Sequence, residues 1–242
     1  MNITLIGYGK MGKEIDRIAA ERGLRIVSRL TSGSTLKESD IQHTDVAVHF
    51  ARPDSVLPHV QRWSASHKNM VIGTTGWQQQ FDNVKALVEK TNIGLVYASN
   101  FSVGVYVFFR LLREAAKLIN NFSEYDISVH EAHHKDKVDS PSGTALSAAN
   151  ILLEHIDRKK TILSEPPQGK INPDQLQITS TRAGTTVGTH TVTFDSLADS
   201  LELKHTAKNR TGFAFGALLA AEWVKDKHGM FTVEDALADI IR

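Results

Sequence analysis

Residues 2–19, NITLIGYGKMGKEIDRIA, decide the fold of the first part of this chain. Asn2–Ile6 is rich in strand-forming residues, and apolar Ile15 and Ile18 recur at the spacing of one helix face. Between them lies G-x-G-x-x-G, and a strand, this turn and a helix form the context that dinucleotide binding requires. The glycines allow a tight turn and let backbone amides approach a pyrophosphate. The sequence therefore predicts a dinucleotide site, rather than a purely structural turn, at Gly7, Tyr8, Gly9, Lys10, Met11 and Gly12.

Strand and helix patterns alternate through the next part of the chain. Further strands are predicted at Leu24–Leu30, Asp45–Ala51, Met70–Ile72 and Ile93–Tyr97. This alternation predicts an α/β fold with an N-terminal Rossmann-like parallel sheet and right-handed crossovers. Ligands of such sheets gather at the carboxyl ends of the strands.

Two polar stretches, GTTG at Gly73–Gly76 and ASNFS at Ala98–Ser102, follow predicted strands. Their position at the carboxyl ends of strands makes them candidates for the cofactor site. Their residue types alone favour ordinary loop and helix-capping roles.

The second half of the chain predicts a smaller α+β domain. A helix over Val103–Ile119 leads into a four-stranded mixed or antiparallel sheet, with a helix packed on one face. Its strands are predicted at Tyr125–Glu131, Leu176–Arg182, Val187–Asp195 and Leu201–Lys208. We assign Ile178, Val192, Phe194 and Leu203 to the other face of the sheet and therefore expect subunit contact there. The predicted domains are 1–101 with 211–242, which binds the dinucleotide, and 102–210, which binds substrate and forms the oligomer.

The stretch Ser128–Ala145, SVHEAHHKDKVDSPSGTA, predicts a strand end, a polar loop and a helix start. Backbone amides at Ser142, Gly143 and Thr144 would point out of the helix N-terminus, where anions bind. His133 and Lys137 stand upstream on the same loop, so the stretch suits a small acid with more than one carboxylate. An ordinary solvated loop before a capped helix explains the same residues equally well.

The motif E-A-H-H-x-x-K-x-D-x-P-S-G-T-A within Glu131–Ala145 closely resembles the signature of the dihydrodipicolinate reductases, also called 4-hydroxy-tetrahydrodipicolinate reductases. Segments Thr206–Phe213 and 229–237 resemble the same family. The resemblance implies reduction of 4-hydroxy-tetrahydrodipicolinate, through dihydrodipicolinate, to tetrahydrodipicolinate by NAD(P)H. This reaction belongs to diaminopimelate and lysine biosynthesis. The resemblance also implies a homotetramer formed through sheets of the second domain.

The resemblance assigns roles to particular residues. It implies that His133 and Lys137 act in proton transfer, and that His134, Gly143 and Thr144, at the turn that begins with Ser142, hold the substrate carboxylate. Glu131 is expected to orient a neighbour rather than act as a base, and Asp139 to brace the loop. Residues expected to line the nicotinamide and its ribose are Gly73, Thr74, Thr75, Ala98, Ser99, Asn100 and Phe101.

Composition limits the other functions. The 242 residues carry 28 Lys and Arg against 27 Asp and Glu, which argues against nucleic acid as the main partner. There is no cysteine, which fits a reducing cytoplasm and leaves no thiolate for a metal site. No apolar run is long enough to span a membrane, and we expect no signal peptide.

Two other classes of protein remain as alternatives. A metal-dependent hydrolase could use His130, His133 and His134, but neighbouring residues of a strand point to opposite faces and the HExxH spacing is absent. We therefore expect no bound metal. A dinucleotide-sensing module without catalysis would keep the glycine turn, but it has no need of His133 and Lys137 together with the P-S-G-T turn.

The preferred cofactor is predicted from the end of the second strand. An acidic residue there would bind the ribose 2′-hydroxyl and repel a 2′-phosphate. Residues 24–34 contain no acid, and Thr31 stands where many relatives carry Glu. Lys10, within the glycine turn, is the preferred partner for a phosphate, ahead of Arg29. We therefore expect that NADPH is modestly preferred and that NADH is also used.

Overall fold

The structure is a computed structural model that describes residues 1–241. The chain forms two compact units, residues 1–103 together with the chain from Arg210 onwards, and residues 104–209. Numbered along the chain, the strands are β1 (Asn2–Ile6), β2 (Arg25–Leu30), β3 (Val46–His49), β4 (Asn69–Ile72), β5 (Gly94–Tyr97), β6 (Asp126–His133), β7 (Thr161–Leu163), β8 (Gln175–Arg182), β9 (Gly188–Asp195), β10 (Ser200–Ala207) and β11 (Gly229–Thr232). The α-helices are α1 (Lys10–Glu21), α2 (Glu38–Gln42), α3 (Val56–Ser64), α4 (Phe81–Thr91), α5 (Val103–Ile119), α6 (Gly143–His155), α7 (Thr211–Val224) and α8 (Val233–Ile240). No helix in residues 1–241 is both long and apolar enough to cross a membrane.

The first unit is built on a six-stranded sheet in the order β11-β5-β4-β3-β1-β2. All of its neighbouring strands run parallel, which confirms the predicted Rossmann-like sheet. Every residue of β3 and β4 is buried, as expected where helices cover both faces of a parallel sheet. The sheet thus brings the carboxyl ends of β1, β3, β4 and β5 to one edge.

Asn69, the first residue of β4, joins the C-terminal segment to this sheet. Its buried side-chain amide donates to the carbonyl oxygens of Val224 (2.7 Å) and Lys225 (2.8 Å), where α7 ends. Its side-chain oxygen accepts from the backbone N–H of Gly94 at 2.7 Å. These bonds satisfy carbonyl groups at the end of α7. The chain then continues into β11, which pairs with β5. The sequence pattern did not reveal β11.

The second unit contains a mixed sheet, as predicted, but it has five strands instead of four, in the order β10-β9-β6-β8-β7. β9 runs antiparallel to both β10 and β6, whereas β8 runs parallel to β6 and β7. The missed strand is β7, whose three residues are too few to show an alternating pattern.

The assignment of Ile178, Val192 and Phe194 to a free face of this sheet is wrong. All three are buried in the core that α5 and α6 form against the sheet, and Leu203 packs against the same core. The strand register explains this, because Val129 of β6 lies beside Ile178 and Val192 and therefore shares their face. The opposite face carries polar residues, among them Ser128, His130, Gln177, Thr179, Thr191 and Thr193.

His49, the last residue of β3, is fully buried in the first unit. One ring nitrogen, Nδ1, is hydrogen-bonded to Thr74 Oγ1 (2.8 Å), and Nε2 is hydrogen-bonded to His59 Nδ1 (3.0 Å). Burial, together with the nearby His59, lowers the pKa of His49 to about 3. His49 is therefore neutral in the folded protein at neutral pH, whereas in the unfolded chain it takes up a proton below about pH 6.5.

We expect the free energy of unfolding of the His49→Gln variant to fall less in acid than that of wild type. Since the folded-state pKa of His49 is depressed, its contribution is lost as the pH falls from about 6.5 towards 3, and roughly 2 kcal/mol should separate pH 7.5 from pH 5. All three tryptophans (Trp63, Trp77 and Trp223) lie in the first unit, so denaturant unfolding followed by tryptophan fluorescence reports on this unit. His43→Gln removes an exposed histidine and is the control. An identical pH dependence in His49→Gln and wild type would contradict the assignment.

Candidate active site

The glycine turn between β1 and α1 has the geometry that a dinucleotide requires. Gly7 has φ of +98°, and a Cβ there would lie 2.2 Å from the carbonyl oxygen of Phe50. A Cβ at Gly12 would lie 2.2 Å from the carbonyl oxygen of Gly7. Gly9, by contrast, faces open space. Two glycines therefore permit the turn itself, and the third leaves the end of the helix accessible.

The N-terminus of α1 is available to an anion. Gly9 is its N-cap residue, and within residues 1–241 no side chain caps this helix. Helix amides without a capping partner, together with the helix dipole, favour a phosphate. The hydroxyl of the neighbouring Tyr8 donates to Asp16 Oδ2 (2.6 Å). The described residues thus fit the pyrophosphate of a dinucleotide.

The two polar stretches predicted for the cofactor lie at the carboxyl ends of β4 and β5. Phe50, which follows β3, connects them with the glycine turn: its ring lies against Gly73 and 6.0 Å from the ring of Phe101, and its backbone lies against Gly7. Thr74 and Phe101 are buried. Thr74 supports this edge through its hydroxyl, which accepts from the backbone N–H of Ala51 at 3.1 Å.

The remaining cofactor candidates sit on the same edge. The backbone N–H of Ala98 donates to the carbonyl of Ile72 (3.1 Å), and the Asn100 side chain accepts from the backbone N–H of Ser102 (2.8 Å). Thr75 and Ser99 are exposed. Sequence reasoning missed Phe50, because a single phenylalanine after a buried strand does not stand out from the core.

In the second unit, β6 continues two residues beyond its predicted end and finishes at His133. His133 is thus a strand residue rather than a loop residue, and it is buried on the face that carries Val129. His130 is exposed on the opposite face, where its Nδ1 is hydrogen-bonded to Thr179 Oγ1 (2.8 Å). The structure therefore does not bring His130 and His133 together, as the metal-hydrolase alternative would require.

A buried carboxylate contacts His133. Glu131 is fully buried; its Oε2 is hydrogen-bonded to His133 Nδ1, and its Oε1 accepts from Arg182 Nη2 at 2.7 Å. Burial raises the pKa of Glu131, but hydrogen bonds from Arg182, Ser180 and His133 outweigh this and leave the pKa below its ordinary value. Glu131 is therefore ionised and contacts a neighbouring side chain, as expected from the sequence.

His133 itself is neutral in this environment. Burial lowers the pKa of His133, and the positive charges of Lys137 and Arg182 lower it further. Glu131 acts in the opposite direction without cancelling these effects. Whether His133 takes up a second proton therefore depends on burial and on the balance between one carboxylate and two cations.

His190 joins His133 to the start of α6. Its ring lies 5.1 Å from the ring of His133 in an edge-on arrangement, and its Nε2 is 3.1 Å from Ser142 Oγ. Ser142 Oγ also accepts from the backbone N–H of Ala145 (3.2 Å), so Ser142 is the N-cap of α6. Burial is the main cause that lowers the pKa of His190 to about 4. His190 is thus neutral, and its Nε2 is hydrogen-bonded to the hydroxyl of Ser142.

The loop that carries Lys137 is held at Asp139. Lys137 Nζ pairs with Asp139 Oδ1 at 2.7 Å, which fits the bracing role expected for Asp139. Arg182 Nη2 donates to the backbone carbonyl of Asp139 at 2.7 Å. Arg182 therefore contacts both Glu131 and the loop. His134, directly after β6, is half-buried, and Gly143 and Thr144 form the first turn of α6.

Arg182 and His190 were not found from the sequence. They lie 51 and 59 residues after Glu131 in the chain and come close to it only through strand pairing. Glu131, His133 and His190 place possible metal-ligand atoms within 4.8 Å of one another. The guanidinium of Arg182, however, already neutralises Glu131 and would repel a divalent cation. This set of residues therefore does not favour a metal centre.

A parallel sheet with a glycine turn, together with a second unit that carries this buried charged cluster, defines a dinucleotide-dependent oxidoreductase. Two family models match the chain: "Dihydrodipicolinate reductase, N-terminus" over residues 1–101, and "Dihydrodipicolinate reductase, C-terminus" over residues 104–237. The chain belongs to the dihydrodipicolinate reductase family, which confirms the resemblance of Glu131–Ala145.

Individual relatives agree with this assignment. The 4-hydroxy-tetrahydrodipicolinate reductase of Christiangramia forsetii is 37% identical over 242 residues, which cover 100% of both chains. A dipicolinate-bound dihydrodipicolinate reductase from a Paenisporosarcina species has a TM-score of 0.76 at 23% identity, over 97% of this chain and 98% of that one. An amine dehydrogenase from Mycobacterium smegmatis has a TM-score of 0.59 at 11% identity, over 97% of this chain and 95% of that one. These two structures support the fold.

We expect Ser142→Ala to loosen the first turn of α6. Loss of an N-cap costs ~1 kcal/mol, so amide hydrogen exchange at Ala145 and Leu146 should become about fivefold faster or more. Ser147→Ala, at an exposed position of the same helix, is the matched control and should leave these rates unchanged. Equal exchange rates in the two variants would show that Ser142 does not cap the helix.

Proposed function

We propose that the chain reduces 4-hydroxy-tetrahydrodipicolinate, through dihydrodipicolinate, to tetrahydrodipicolinate with NAD(P)H. We place this reaction in diaminopimelate and lysine biosynthesis, in the cytoplasm. Family membership and the name of the relative from Christiangramia forsetii support the reaction. The structural observation that carries the proposal is the linked arrangement of His133, His190 and Ser142, which joins a proton-exchanging ring to a helix N-terminus.

In this proposal, one unit binds the dinucleotide and the other binds the substrate. Residues 1–101 with 211–242 bind the dinucleotide, and residues 102–210 bind the substrate and form subunit contacts. We also propose a homotetramer through the second-unit sheet, on its polar face rather than on the apolar residues expected from the sequence. The basis for the tetramer is the family resemblance of the motif within Glu131–Ala145.

The substrate carboxylate would bind at the N-terminus of α6. A Cβ at Gly143 would meet no atom within 4 Å, so an anion can approach the backbone amides there. Gly143 and Thr144 contribute their backbone N–H groups, and His134 supplies a further donor. The Ser142 side chain is occupied by Ala145 and His190 and shapes the turn, so Ser142 would bind the ligand through its backbone N–H.

The dinucleotide would be held by Gly7, Gly9 and Gly12 of the turn, with Tyr8, Lys10 and Met11, and by the residues of the two polar stretches. The nicotinamide supplies a hydride when bound. The stretches concerned are Gly73, Thr74 and Thr75, and Ala98, Ser99, Asn100 and Phe101.

Hydride addition to a conjugated unsaturated imine acid leaves an electron-rich carbon that must receive a proton. Lys137 holds an exchangeable proton on Nζ, and Asp139 positions this group at 2.7 Å. His133 has Nδ1 bonded to Glu131, so its Nε2 is the ring nitrogen that can pass a proton. We therefore assign Lys137 and His133 to proton transfer.

Replacement of Lys137 by Ala should lower kcat by about 100-fold or more, the scale of lost general acid catalysis, and leave NADPH binding nearly unchanged. Oxidation of NADPH is followed with substrate generated by the preceding synthase, and dinucleotide binding is measured separately. Lys135→Ala removes an exposed lysine from the same loop and should keep near-normal kcat. A folded Lys137→Ala protein with near-normal kcat refutes the assignment. A wild-type protein that binds NADPH without turnover would support the sensing module.

We further propose that NADPH is preferred modestly over NADH. The preference would come from Lys10 rather than from Arg29. Arg29, the cation at the end of β2, makes two hydrogen bonds to Asp16 (2.6 and 2.7 Å) and is thus already paired. Lys10 is exposed at the start of α1, beside the turn that would receive the pyrophosphate, and we assign it to the 2′-phosphate.

We expect kcat/KM with NADPH to exceed that with NADH by about threefold, because one exposed lysine–phosphate contact contributes ~0.2–1 kcal/mol. Lys10→Ala should remove most of this preference, whereas Lys13→Ala, exposed one turn further along α1, should retain it. Both cofactors are compared at fixed substrate and moderate salt. A tenfold advantage for NADH, about 1.4 kcal/mol, would exclude this proposal.

A further inference from the structure

We propose that Glu131 is a positioning residue for His133: held by Arg182, its carboxylate keeps the ring proton on Nδ1 and leaves Nε2 as the only nitrogen that exchanges protons with the site. This inference rests on the proposed function for its kinetic test. The sequence predicts only that Glu131 orients a neighbour, without saying which one, and Arg182 lies outside the motif.

The contacts of Glu131 leave it no other role. Both of its oxygens are occupied, Oε1 by Arg182 and Oε2 by His133 Nδ1, and the side chain is fully buried. An ionised carboxylate can only accept hydrogen bonds, so the proton between Glu131 and His133 belongs to Nδ1. Glu131 is therefore neither open to substrate nor free to rotate, which makes a direct catalytic role impossible in this arrangement.

The other ring nitrogen of His133 lies against a glycine. A Cβ at Gly188 would lie 2.9 Å from His133 Nε2, closer than real Cβ atoms come to other atoms. Any larger residue at this position of β9 would therefore push against the nitrogen. Glu131 on one side and Gly188 on the other give the two nitrogens of the ring different roles.

Arg182 connects this pair with the second proton-transfer residue. Its guanidinium donates to Glu131, to the backbone carbonyl of Asp139 and to the carbonyl of Thr181. Asp139 in turn holds Lys137. The same arginine thus fixes the carboxylate behind His133 and the loop that carries Lys137, so it sets where the two groups lie relative to each other.

Glu131 is also the negatively charged group that faces His133. The charged and titratable groups facing His133 are Glu131 on β6, Arg182 on β8, His190 on β9 and Lys137 on the loop. Without the charge of Glu131, the ring would face two cations and a neutral histidine. Protonation of His133 would then become harder, and its titration would move to lower pH.

The test compares wild type with Glu131→Gln, which keeps the size of the side chain and removes its charge. The limb of the pH profile of kcat/KM that follows His133 should move down by about one pH unit, whether the ring acts as acid or as base, and kcat should fall by about tenfold. NMR of isotope-labelled histidine should show His133 protonated on Nδ1 in neutral wild type and a mixture of tautomers in the variant. Glu124→Gln, at an exposed position, is the control and should match wild type.

A folded Glu131→Gln protein with an unchanged His133 titration and tautomer would overturn the proposal and leave Glu131 with a structural role alone. If Glu131→Gln does not fold, the wild-type spectrum still decides, because a proton on Nε2 at neutral pH contradicts the proposed arrangement. The NMR measurement needs no turnover. Absence of reductase activity in wild type would therefore count against the proposed function without affecting this result.

Discussion

The buried carboxylate of Glu131 constrains the arrangement of three strands. A charge without water must be paired, and losing one partner of a buried pair is far more costly than losing an exposed one. Its partners are supplied by strand register: His133 lies opposite Arg182 in the pairing of β6 with β8, and Glu131 lies opposite His190 in the pairing of β6 with β9. A slip of one residue would turn these side chains to the other face. The cluster therefore exists only in this register.

The same register explains which features the sequence could predict. The dinucleotide turn is local, since β1, the three glycines and α1 follow one another, and the motif was sufficient to place it. The parallel direction of β1 to β5 also follows from the alternation of strands and helices. Pairing across the second sheet brings together residues distant in the chain, so Arg182 and His190 had no detectable signal in the sequence.

The errors have equally specific causes. Alternation along a strand separates two faces but does not say which one the helices cover, and for this reason Ile178, Val192 and Phe194 were placed on the wrong side. His133 was assigned to the loop because the polar residues around it conceal the end of β6. β11 has only four residues, too few for a clear pattern, and the contacts of Asn69 with the end of α7 join residues more than 150 positions apart.

Under the proposed function, the charges of the second-unit site connect substrate binding with proton transfer. Before binding, Lys137 is balanced by Asp139 and Arg182 by Glu131, so His133 has no uncompensated negative charge near it and remains neutral. A dicarboxylate at the N-terminus of α6 would bring negative charge close to the ring, and nearby negative charge raises the pKa of a histidine. Since Glu131 fixes Nδ1, the added proton can enter only at Nε2. The substrate would then help to create the protonated His133 that its own reduction requires, while an empty site would keep the ring neutral.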